Sequence, residues 1–155
     1  MLKRRISVAL PFERHERYSA TAIFVMMTAA LLLAAGAAVD YARVANMREG
    51  IDAAVAAAAD AAAAAMYSDT LSDDQIKTLA MSQFDKAVTF ARHVGTIEEL
   101  DIGIDRVSRS VTVDAKGTVA MTVSRLAGVN DVTVPASATA AWTPRDADVQ
   151  PEQSP

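Results

Sequence analysis

Between Ser19 and Val39 the chain runs for 21 residues without a charge. As a helix rising about 1.5 Å per residue, this run would reach ~30 Å, the hydrocarbon thickness of a bilayer. Eight of the 21 residues are alanine, which is nearly neutral toward insertion. The insertion energy therefore rests on Ile23, Phe24, Val25, Met26, Met27, Leu31, Leu32, Leu33 and Val39. The helical pattern does not stop at Val39. The following DYARVANMREGIDAAVAAAADAAAAAMY is made almost wholly of helix formers, with 11 alanines between Ile51 and Ala65 and Gly50 as its weak point. The pattern predicts one helix from Tyr18 or Ser19 to Tyr67, roughly 70 Å long. Within its second half Val44, Met47, Ile51, Val55 and Met66 recur mainly at spacings of three or four, with Ala58 and Ala62 in the gap. This thin apolar stripe suits close packing on another helix, of this chain or of a partner.

Ser68-Asp69-Thr70 reads as a break. Ser72-Asp73-Asp74-Gln75 then fits a capping box, Ser72 as N-cap and Gln75 reaching back. The helix it opens, about Asp73–Arg92, carries Ile76, Leu79, Ala80, Phe84, Val88 and Phe90 or Ala91 near one face, and Gly95 closes it. Beyond it the period changes to two. Leu100, Ile102 and Ile104 alternate with polar residues or glycine. So do Val111, Val113, Ala115 and Val119, and then Val132, Val134, Ala136, Ala138, Ala140 and Trp142. Three such segments predict an antiparallel sheet with one buried face, and the helix from Asp73 is the expected cover. Arg106–Ser110 reads as a turn, and Met121–Ala127 as a short helical turn ended by Gly128. Pro135 marks an edge strand or a bulge. The expected fold class is α+β: a long N-terminal transmembrane and extracytoplasmic helix, then a small domain of one helix on a three-stranded antiparallel sheet. The expected organisation is a cytoplasmic tail over 1–17, the span and alanine-rich helix over 18–67, the small domain over 68–143, and a disordered Pro- and Asp-rich tail over 144–155.

Charge orients the run. Lys3, Arg4, Arg5, Arg14 and Arg17 precede it, whereas Arg43 and Arg48 beyond it are diluted by Asp40, Glu49 and Asp52. Basic residues stay on the cytoplasmic side, so the N-terminus is expected inside and the domain outside. The small residues Ala34–Ala38 resemble a signal-peptidase site. The run is nevertheless longer than a cleavable apolar region, and no extended segment follows it, so an uncleaved signal anchor is expected. Asp40, Tyr41 and Arg43 then fall at the outer interface, where Tyr41 suits the headgroup level. Together with Met47, Ile51 and Val55 they are the candidate interface residues.

The net charge of −4 gives no reason to expect a nucleic-acid partner, and the absence of cysteine excludes disulfides and thiolate chemistry. Aromatic residues make up 5%, few for a substrate pocket. The two histidines, His15 and His93, fall on opposite sides of the run and cannot share a metal or a catalytic triad. Asp52 and Asp60 lie about two helical turns apart, too far to share a proton. Asp101, Asp105 and Asp114 fall on polar strand positions as ordinary solvated acids. No enzyme activity, cofactor, metal or small-molecule substrate is expected.

Two stretches carry a family resemblance. IFVMMTAALLLAAGAAVDYARVANMREGIDAAVAAAADAAAAA resembles the apolar span, V-D-Y-[GS]-R exit and alanine-rich helix of the TadE/TadG-like proteins of bacterial Tad (Flp) pilus assembly. Here the exit is Val39-Asp40-Tyr41-Ala42-Arg43. VTVDAKGTVAMTVSRLAGVNDVTVPASATAAW is similar to that family's strand, short L-x-G turn and final strand. The resemblance implies a non-enzymatic inner-membrane component or minor pilin-like subunit of the short form, without a von Willebrand A domain. Its implied partners are the lipid bilayer and other helical membrane proteins of a pilus-assembly complex. Tyr18 and Ile23 stand where processed members carry Gly and Glu, so no prepilin-type cleavage is expected there. The competing expectation is an extracytoplasmic binding module, anchored or bearing a signal peptide, unrelated to pili.

Overall fold

Helix formers dominate the stretch from His15 to Ala65, and they make one helix. A computed structural model describes residues 15–67, 70–89 and 91–142, with backbone alone for 15–18. Helix α1 spans His15–Ala65 and so begins before Tyr18. Gly50 does not break it. A Cβ on Gly50 would lie 2.8 Å from the Cβ of Ala91, so the residue marks a close crossing rather than a weak point. Helix α2 follows at Asp73–Ala87, opened by the capping box: the Gln75 N–H donates to Ser72 Oγ, and the Ser72 N–H donates to Gln75 Oε1 at 2.9 Å. Of the expected tail over 1–17, residues 1–14 lie outside the described residues. So do Ser68 and Asp69 of the expected break, Phe90, and the expected disordered tail over 144–155.

Helix α2 ends earlier than its apolar pattern predicts. Val88 is its C-cap, and Thr89 Oγ1 turns back to donate to the Lys86 carbonyl at 3.0 Å. A β-branched pair that hydrogen-bonds locally competes with further α-turns. The apolar spacing runs on because a short 3₁₀ turn over Ala91–His93 keeps Ala91 buried. The Gly95 N–H donates to the Ala91 carbonyl and closes that turn.

Strands β1 (Thr96–Asp105), β2 (Ser110–Ala120) and β3 (Asp131–Ala141) form an antiparallel meander in the order β1-β2-β3. The α+β class expected from the sequence holds. Strand β1 starts ahead of Leu100 because its register shifts between Ile97 and Glu99. The bulge absorbs one residue of the Glu98-Glu99 pair and returns Ile97 to the apolar side, where it packs on the core. Asp105 closes the β1–β2 turn. Its carboxylate accepts from the Val107 and Ser108 N–H groups and from the Ser108 hydroxyl, which together hold its pKa below the usual value. Between β2 and β3, a 3₁₀ turn over Ser124–Ala127 ends at Gly128, whose φ of 87° is the left-handed conformation glycine tolerates. Pro135 lies on the edge strand β3, opposite Lys116, where its missing donor breaks no ladder.

The cover of the sheet is the main departure from the sequence pattern. The distal half of α1, rather than α2, lies across β2 and β3, and α2 packs chiefly on α1 and meets the sheet mainly along β1. One core results, joining Met47, Ile51, Val55 and four alanines of α1 to Ile76, Ala80, Phe84 and Val88 and to the inward residues of all three strands. Alanine makes this possible. Ala54, Ala58, Ala59 and Ala62 are fully buried, and side chains this short let one helix meet a sheet and a second helix at once. The sheet matches them with small residues of its own. A Cβ on Gly117 would lie 2.3 Å from Met47 Cε and 2.6 Å from Ile51 Cδ1.

Bulk at the helix–sheet seam should therefore be costly, and bulk on the open face harmless. Ala58→Leu, at a fully buried position, should destabilise by about 1–3 kcal/mol through overpacking. Ala57→Leu, one residue away on the exposed side, should stay within about 0.5 kcal/mol. Urea unfolding of the full chain in detergent, followed by the fluorescence of the single tryptophan Trp142, measures both.

Candidate functional site

Asp40 and Arg43 are three residues apart on α1, a spacing that puts them on one face of a helix. That face turns toward the β2–β3 connection. The Asp40 carboxylate is 1% exposed and accepts three backbone hydrogen bonds: Thr122 N–H to Oδ1 at 3.0 Å, and Val123 and Ser124 N–H to Oδ2, each at 2.8 Å. These donors lead into the 3₁₀ turn and would otherwise lack partners. The bonds hold the carboxyl well below the ordinary range, at about 2. The Ser124 N–H contributes most; removal from water opposes it, and the Thr122 and Val123 N–H groups and the Ser124 hydroxyl add to it. Asp40 is thus a permanent anion at any physiological pH. No proton exchange follows from its burial.

Arg43 closes the same junction from the other side. Its Nη1 donates to the Ala120 carbonyl at 3.1 Å and to Thr122 Oγ1 at 3.2 Å, and its Nη2 donates to the Val94 carbonyl at 3.4 Å. One guanidinium therefore joins the end of β2 to the segment that leads into β1. One helical turn before Asp40, Gly36 lies beneath Val123, whose Cγ2 would sit 2.3 Å from a Cβ there. Asp40, Arg43 and Gly36 together clasp the domain onto the helix where the uncharged run ends.

The candidate interface residues separate on this geometry. Met47, Ile51 and Val55 are buried at 0–1% exposure, so the interface they form is internal to the chain, against its own sheet and α2. Asp40 and Arg43 are likewise engaged by the chain itself. Tyr41 alone faces outward, 77% exposed. Thr122, Val123, Ser124 and Gly36 complete the junction without having been singled out in the sequence. Their role passes mainly through backbone N–H groups and the absence of a side chain at Gly36, which residue type does not announce, with the Thr122 hydroxyl and the Val123 side chain adding to it. A charged pair at helical spacing directly after an apolar run was the available signal, and it names only the helix's half of the contact.

The other acids do not assemble. Asp52 and Asp60 are exposed on α1. Asp101 and Asp114 face each other across the β1–β2 ladder on the solvent side, with Lys116 bonded to Glu99 at 2.8 Å nearby. His93 is exposed in its 3₁₀ turn, and the side chain of His15 is outside the described residues. Among the described residues, no three His, Cys, Asp or Glu side chains lie together as a metal site would need. No family model, curated protein or solved structure matches the chain.

The clasp sets a pH dependence with a definite sign. Asp40 binds its proton more weakly when folded, about 2 against 3.8, so its stabilisation is complete above pH ~4 and is lost as pH falls toward 2. Asp40→Asn should lower the melting temperature at pH 7. The gap between wild type and variant should close as pH falls through that window. Thermal unfolding followed by circular dichroism from pH 7 to 2 gives the comparison; a gap that stays constant would remove the carboxylate from the account.

Proposed function

We propose that the chain is a non-enzymatic, single-pass membrane component, held by residues 19–39 with its N-terminus cytoplasmic and its folded domain on the outer side of a bacterial inner membrane. The observation that carries the reading is a change of surroundings along one helix. Ile23, Phe24, Val25, Met26, Met27, Leu31, Leu32, Leu33 and Val39 are 50–70% exposed, whereas Met47 and Ile51, on the same helix, are fully buried in the domain. Burying each large apolar side chain is worth about 1.5–3 kcal/mol, and nothing else among the described residues covers these nine. The helix is long and apolar enough to cross a membrane. Retention of the span is supported by Ala34–Ala38 lying inside α1, with Gly36 against Val123, where a peptidase would need extended chain.

The resemblance of the V-D-Y-A-R exit, the alanine-rich helix and the final strand to TadE/TadG-like proteins gives this component its setting. It would act in Tad (Flp) pilus assembly through packing of its span with other membrane helices and through the surface of its outer domain. The alanine-rich stripe is used internally, so other helices would meet the chain along its exposed apolar span.

Three measurements test the reading. Mass spectrometry of the mature protein should find residues 19–38 retained; a soluble product starting near Val39 would overturn the anchor. Leu31→Arg near the middle of the run adds about 2.5–3.5 kcal/mol to insertion and should move much of the protein out of the alkali-resistant membrane fraction. Pilus-assembly membrane proteins should co-purify with the detergent-extracted chain. Their consistent absence would remove the pilus setting and leave the anchor standing.

A further inference from the structure

We propose that the β2–β3 connection, residues 121–130, dips into the outer membrane surface, with Leu126 and Val129 at the boundary between headgroups and acyl chains. The inference rests on the membrane reading of residues 19–39 and adds a second point of contact with lipid.

Depth is the first argument. Val123 packs on Gly36, and Gly36 lies inside the uncharged run, four residues before Asp40. At about 1.5 Å per residue that is ~6 Å below the first charge after the run. The connection therefore reaches down beside the apolar run instead of stopping above it. Exposure is the second. On this connection Leu126 is 79% exposed and Val129 44%, and nothing lies within 4 Å of a Cβ placed on Gly128 between them. Two large apolar side chains are therefore bare on the connection that Val123 brings down to Gly36, beside the exposed apolar surface of α1.

Polar groups are the third argument. Lipid-exposed irregular backbone does not occur in the hydrocarbon core, which keeps the connection at the headgroup boundary, and pairing of its donors within the chain lowers the cost of leaving water. Thr122, Val123 and Ser124 give their N–H groups to Asp40. Met121 donates to the Asn130 carbonyl, Leu126 to that of Val123, Gly128 to that of Arg125, and Val129 to that of Ser124. Arg125, exposed beside Leu126, brings a cation to the level of phosphate headgroups, and exposed Tyr41 falls at the same level. The buried anion of Asp40 thus has a further consequence: it pairs the donors that would otherwise keep the connection in water.

The opposite pole supplies a control. Val107, in the β1–β2 turn, is 97% exposed, and its neighbour Arg106 bonds to Asp73 and the Leu71 carbonyl at the start of α2, at the end of the domain far from the run.

The chain contains no cysteine, so single-cysteine variants can be labelled without background. Leu126→Cys, Val129→Cys, Val107→Cys and Leu32→Cys, each in the full chain, carry an environment-sensitive fluorophore in vesicles of zwitterionic and anionic phospholipid. Quenchers are placed either on the upper acyl chain or in the water. Labels at 126 and 129 should be quenched by the lipid-borne group several-fold more than the label at 107, and shielded from the aqueous one. If 32 reports lipid while 126 and 129 behave like 107, the dip is overturned and the anchor stands. If 32 itself reports water, the anchor falls and the dip with it. Shielding at 126 from the aqueous quencher without quenching from lipid, growing with protein density, would assign the patch to a second copy and also overturn the proposal. All four positions are exposed, so loss of fold does not confound the labels; circular dichroism checks this.

Discussion

The described fold hangs on one rod whose first half is bare and apolar and whose second half is buried in the domain. Helix α1 is continuous from His15 to Ala65, so the domain has no linker by which to move relative to the apolar run. Its position is fixed by which face of α1 it packs on and how far along. The three hydrogen bonds to Asp40 set that height. They attach the β2–β3 connection at the first charge after the run, and Arg43 fixes the strand ends on either side. A flexible tether would let the domain wander; this geometry places it against the end of the apolar run.

The distal end is held differently. Trp142 stacks at 5.4 Å from Tyr67 and lies under the Arg109 guanidinium, also at 5.4 Å, while the Trp142 N–H donates to the Arg109 carbonyl. Arg106 reaches Asp73 and the Leu71 carbonyl. These contacts tie the ends of α1, β3 and the β1–β2 turn together, but they are solvent-exposed, and exposed ion pairs are worth little individually. The buried carboxylate at the near end is the stronger constraint, since that anion, 1% exposed, has no water to fall back on.

Much of this was legible in the sequence. The uncharged run, the Ser72/Gln75 capping box, the period-two strands and the αL stop at Gly128 all follow from side-chain chemistry acting over a few residues. What was hidden involves partners distant in sequence or signals carried by small residues. The sheet could be covered by either helix on pattern alone. Ile76, Ala80 and Phe84 make the louder apolar face, yet alanines at 54, 58, 59 and 62 lie nearer the strands because they stand less tall. The bulge at Glu98-Glu99 erased the alternation that would have begun β1 at Thr96. Asp40 and Arg43 stood out by position, but the partners of Asp40 are main-chain N–H groups 82–84 residues away, those of Arg43 are two carbonyls and the Thr122 hydroxyl 51–79 residues away, and any sequence supplies main-chain groups.

The alanine core explains why a polar junction is needed at all. A methyl group gives little burial energy and almost no shape, so an alanine face can slide along a sheet of valines and alanines with small change in contact. Specificity of register must come from elsewhere. Met47 and Ile51 supply part of it by filling the space over Gly117, a fit that a shift of one helical residue would ruin. Asp40 supplies the rest, because its three donors converge on one carboxylate and a displaced helix would leave them and the anion unpaired together. The small side chains bring helix and sheet close, the large ones and the buried charge decide where, and the same choice of where puts Val123 over Gly36 and the β2–β3 connection beside the apolar run.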